Sequence, residues 1–106
     1  MLDKTITLDV TFLQKVTPVL REMGFADVKE FLKEQALLLL MAKISRYKAE
    51  CDYFQSKYGM SFEDFARKVE NAKEEDFAQE EDLLDWRFAR EALVELDQRK
   101  REIESA

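Results

Sequence analysis

From Phe25 to Tyr58 the chain contains neither glycine nor proline. Nothing in that stretch breaks a helix. Asp27, with Glu30 three residues on, supplies a capping-box start. Gly59 supplies a stop, because glycine tolerates the left-handed conformation that closes helices. The spacing predicts one helix of roughly 30 residues.

The first part of this helix, "VKEFLKEQALLLLMAKI", is apolar on more than one side between Leu37 and Met41. Such a stretch is expected to be covered from several directions. Further on, Leu37, Leu40, Ile44, Tyr47, Cys51, Phe54 and Tyr58 recur at alternating intervals of three and four. That is the pattern of a coiled-coil seam. Cys51 falls on the seam and is expected to act as a small buried apolar residue.

The flanking segments read as shorter helices. Phe12, Leu13, Val16, Val19, Leu20 and Met23 give a helical stripe from about Thr11, with Asp9 or Thr11 as cap and Gly24 as stop. Pro18 lies inside it and predicts a kink or an opened turn. After Gly59, Ser61 caps a helix over about 62–72 whose stripe is Phe62, Phe65, Ala66 and Val69. Residues 70–82 are acidic and poor in apolar side chains, Phe77 excepted, and read as a linker. A last helix is predicted over about 80–103. It carries Leu83, Trp86, Arg90, Leu93, Leu96 and Ile103 on one flank, with Phe88 and Ala92 on another.

Before all of these stands "TITLDV". Thr5 to Val10 alternates β-branched and apolar residues with polar ones at period two, as a strand does. Ile6, Leu8 and Val10 share one face. So short a strand needs a partner, and a second copy of the chain would provide one. The predicted fold is mainly α with one short N-terminal strand. Its parts are a dimerisation module over 1–42, a seam-bearing helix over 43–58 and an acidic helical extension over 59–106.

Composition narrows function. There is no histidine, hence neither the commonest metal ligand nor the commonest general base. The single cysteine excludes an intramolecular disulfide framework. The acids Glu80, Glu81, Asp82 and Asp85 sit at spacings typical of an exposed helix face rather than in a glycine-bearing metal loop. No enzyme, cofactor or metal is expected. No apolar run reaches the roughly 18 residues of a membrane span, and the N-terminus lacks the pattern of a secretory signal. A cytoplasmic location is the expectation. Charge is unevenly spread: residues 59–98 hold thirteen acidic and five basic residues, whereas residues 1–58 are nearly balanced. The acidic part should repel nucleic acid and attract a basic partner.

The order strand, helix, "REMGF", capped helix, carried by "TITL" at 5–8, residues 21–25 and "DVKEFLKEQALLLL" at 27–40, resembles the ribbon-helix-helix (MetJ/Arc/CopG-like) family. The resemblance covers residues 3 to about 42. It implies an intertwined homodimer with a two-stranded ribbon that enters the DNA major groove. Lys4, Thr5 and Thr7 would then be the DNA-binding candidates. Ile6, Leu8, Val10, Phe31, Leu37, Leu40 and Ile44 would form the dimer core. Members with a long C-terminal extension are often antitoxins of type II toxin–antitoxin pairs, which also repress their own operon. Here the extension would cover a basic toxin, and Phe77, Leu83, Trp86, Phe88 and Leu93 are the partner-binding candidates. The alternative from another functional class is a helical dimer acting as a structural or adaptor protein without DNA binding. In that reading the seam is the assembly element and the acidic face serves solubility. For Trp86 itself, the alternative to a partner anchor is a core residue packed on the seam helix.

Overall fold

The computed structural model describes residues 9–106. Within them the chain forms four helices: α1 (Val10–Glu22), α2 (Val28–Tyr58), α3 (Phe62–Glu70) and α4 (Phe77–Glu104). It divides into two compact units, Met1–Leu38 and Leu39–Ala106.

Each helix begins and ends where a local signal dictates. Asp9 accepts the Thr11 N–H at 2.7 Å and caps α1. At the other end Gly24, at φ 95°, allows a Schellman closure. There the Phe25 N–H donates to the Leu20 carbonyl at 2.9 Å and the Gly24 N–H to the Arg21 carbonyl at 3.1 Å. Pro18 lies within α1, which runs on to Glu22. Asp27 accepts the Glu30 N–H at 2.8 Å at the start of α2, and Glu30 reaches back to the Ala26 N–H. Gly59, at φ 66°, stops α2. Ser61 caps α3 through the Asp64 N–H at 3.1 Å, and Asp76 caps α4 through the Gln79 N–H at 3.1 Å. With Asp76 as its cap, α4 starts at Phe77, inside the acidic stretch expected to be a linker.

One expectation is overturned. A ribbon-helix-helix fold needs a strand, and the described residues are helical without one. The end of the expected strand Thr5–Val10 is instead the cap and first residue of α1, because the Asp9 carboxylate captures a backbone N–H of the first turn. Lys4, Thr5, Ile6, Thr7 and Leu8 lie outside the described residues.

Among the described residues of the first unit Leu20 is buried, and Phe31 meets Phe25 edge to face with centroids 5.1 Å apart. Leu37 is half-buried and Val10 is exposed. The second unit holds an aromatic core of Phe54, Phe65, Ala66, Leu83 and Trp86, with Cys51, Tyr58, Met60, Phe62 and Val69 packed around it. The seam residues Cys51, Phe54 and Tyr58 of α2 are thus covered by α3 and α4 of the same chain. Phe65 is wholly buried, stacked on Tyr58 at 3.9 Å between centroids. Ion pairs from Arg90 to Glu63 (2.9 Å) and from Arg87 to Glu70 (3.7 Å) join α4 to α3, and the Arg90 guanidinium lies 4.4 Å over the Phe62 ring. Among the described residues no helix is long and apolar enough to cross a membrane.

Candidate functional site

Trp86 and Phe88 are two residues apart on α4. At about 100° per residue they point to opposite sides. Trp86 is 3 % exposed and Phe88 is 61 % exposed. The indole is enclosed by Phe54 (5.8 Å, stacked), Phe62 (5.4 Å, edge-on) and Phe65 (5.7 Å). Leu83 is buried beside it, and Leu93 is half-buried next to Ile44 along a groove that Met41 and Lys100 also line. Leu40 is likewise half-buried.

Phe88 stands with the exposed Phe77 and Leu84 on a single stripe, since intervals of seven and four return to one side of a helix. Phe88 also borders a groove of about 670 Å³ between α2 and α4. Tyr47 meets Phe88 edge to face at 5.9 Å, Tyr53 meets Phe54 at 5.2 Å, and all four rings line the groove with Glu50 and Asp85. The Arg46 guanidinium already lies 5.9 Å over the Tyr47 ring. Phe54 joins this groove to the core by stacking on Trp86.

Seven acids of the second unit are engaged within the chain, and the two that line the groove are not. Asp64, Glu63, Glu70, Asp82, Glu95, Asp97 and Glu104 are all in ion pairs within the chain. Among the described residues, neither Glu50 nor Asp85 has a hydrogen-bond or ion-pair partner. A second cleft, where α3 passes into α4, is ringed by Glu70, Glu74, Glu75, Asp76 and Glu80. Where α2 ends, Asp82 accepts from Lys57 at 2.7 Å and from the Tyr58 hydroxyl. Burial alone would raise the Asp82 carboxyl, but these two hydrogen bonds and the Lys57 charge outweigh it and hold its pKa below the usual range. Burial, then the bond to Asp82, pushes the Tyr58 phenol up. No group of acids or cysteine suited to hold a metal occurs among the described residues.

Sequence reasoning named Phe77 and Phe88 as partner candidates, and both are exposed. It named Leu83 and Trp86 as well, and the fold uses both in its core. It did not single out Leu84, Glu50 or Tyr53. The signal for Leu84 was its interval from Phe77 and Phe88. Glu50 and Tyr53 gave no signal until α4 was placed beside α2. No protein family, curated protein or solved structure matches the chain.

Proposed function

We propose that this chain is a non-enzymatic interaction protein whose second unit takes a basic protein segment on the α2–α4 face. The observation that supports this reading is the exposed Phe88 ring on a groove that also carries Glu50 and Asp85, two carboxylates without a partner among the described residues. Aromatic anchors give such surfaces most of their binding energy, and unpaired acids choose a cationic partner. An incoming arginine or lysine lays its stem on Tyr47 and Tyr53 and brings its charge to Glu50 or Asp85. Apolar residues of the same segment meet Leu84 and Phe77, as when an amphipathic helix lies on an apolar stripe.

A basic toxin held inactive on this face is one member of that partner class, supported by the same acidic aromatic surface. A structural or adaptor role uses the surface in the same way and differs in what becomes of the partner. The test is fluorescence anisotropy with a labelled amphipathic peptide bearing arginine and leucine at helical spacing. Binding is expected at low salt, with affinity falling as salt rises. F88A and D85N should each weaken it by roughly five- to tenfold. Absence of binding at low salt, or binding indifferent to both substitutions, would refute the proposal.

A further inference from the structure

The first unit has an apolar surface that its own helices leave open. On α1, Phe12, Val16, Val19 and Met23 follow at intervals of four, three and four and so form one stripe. Phe12, Val19 and Met23 are exposed and Val16 is half-buried. Leu13 and the buried Leu20 lie along one flank of the stripe. Lys15 and Glu22 lie along the other, both exposed. Seven residues separate these two charges, about 10.5 Å along the helix, too far for them to pair with each other. Among the described residues neither has an ion pair or hydrogen bond.

We propose that two copies of the chain associate through α1, antiparallel, about a twofold axis that passes between Thr17 and Pro18. The stripe reads the same in both directions. In that arrangement Phe12 lies opposite Met23 of the second copy, and Val16 opposite Val19. A twofold contact requires such self-complementarity, and an unrelated partner does not. The same axis brings like flanks together, so Lys15 of each copy comes within side-chain reach of Glu22 of the other, twice over. Pro18 projects away from the stripe and does not obstruct it.

Net charge agrees with this choice of surface. Residues 9–38 carry four basic and five acidic side chains, whereas residues 39–106 carry twelve and seventeen. Two copies meet with least repulsion through the first unit. The contact is a single helix stripe, so a weak, concentration-dependent dimer is expected. This pairing is independent of the peptide face on the second unit and uses none of its residues.

The experiment is sedimentation equilibrium of the full chain from low micromolar to high concentration. The wild type should move from monomer to dimer across that range. V19D, at an exposed position that leaves the monomer fold intact by circular dichroism, should remove the dimer. K15E and E22K should each weaken it about tenfold by turning two attractive pairs repulsive. The double variant K15E/E22K should return to wild-type affinity, and a mixture of the two single variants should dimerise better than either alone. A chain that stays monomeric throughout overturns the proposal. So does a dimer that V19D leaves unchanged, or a double variant that is not rescued, since rescue requires the antiparallel register.

Discussion

The indole of Trp86 lies stacked on the ring of Phe54, centroids 5.8 Å apart and planes 22° from parallel. This contact joins α4 to α2 and decides how each side of α4 is used. With Trp86 turned inward, Phe88 is left to the groove and to solvent.

Trp86→Ala should therefore cost about 3–5 kcal/mol of folding stability, the range for truncating a large buried aromatic. Phe88→Ala should cost less than about 1 kcal/mol, since its ring is mostly exposed. Urea unfolding of the two variants, followed by far-UV circular dichroism, measures both. Equal losses would mean that Phe88 belongs to the core.

Asp82 links acid stability to the end of α2. Its carboxyl pKa is lower in the fold than the usual value of about 3.9. A carboxyl with a depressed folded pKa adds stability above its unfolded pKa and loses it as the pH falls through the folded one. The midpoint of thermal unfolding should accordingly drop below about pH 4. Asp82→Asn should be less stable at neutral pH and should show a shallower acid decline. An unchanged acid decline in that variant would remove Asp82 from the account.

Gly24 holds φ at 95°, and a Cβ added there meets nothing within 4 Å. The cost of Gly24→Ala is then conformational, about 1 kcal/mol. It should appear as a lower thermal midpoint with little loss of helix signal at low temperature. A neutral substitution would show that the α1 closure adopts another geometry in solution.

Cys51 has its thiol pKa raised, by burial first, with Asp52 and Glu50 adding to that and Arg90 opposing it. Less thiolate is present at pH 8 than in a free cysteine. Alkylation by iodoacetamide should be slower than for an unstructured peptide, and should accelerate in Trp86→Ala as the core loosens. Labelling at the free-peptide rate in the wild type would contradict the packing of Cys51 against the core.

Helix limits were legible where the signal was local. Asp27 with Glu30, Gly59 and Ser61 each act through their own side chain or backbone freedom, and the structure uses all of them. The period-two pattern ending at Val10 was not decisive, because one carboxylate at Asp9 is enough to start a helix there. The α2 seam announced that Cys51, Phe54 and Tyr58 would be covered, but a three–four interval does not name the covering chain. Phe62 and Phe65 of α3 supply that answer by closing over Trp86. The same closure sorts Leu83 and Trp86 from Phe77 and Phe88, which no pattern within α4 alone could do.

The most direct test of the proposed partner face is a ¹⁵N–¹H chemical-shift titration of the full chain with the basic amphipathic peptide. The expected result is saturable shifts centred on Tyr47, Glu50, Tyr53, Leu84, Asp85 and Phe88, with the amides around Phe65 nearly still. Shifts confined to the first unit, or none at all at low salt, would contradict it.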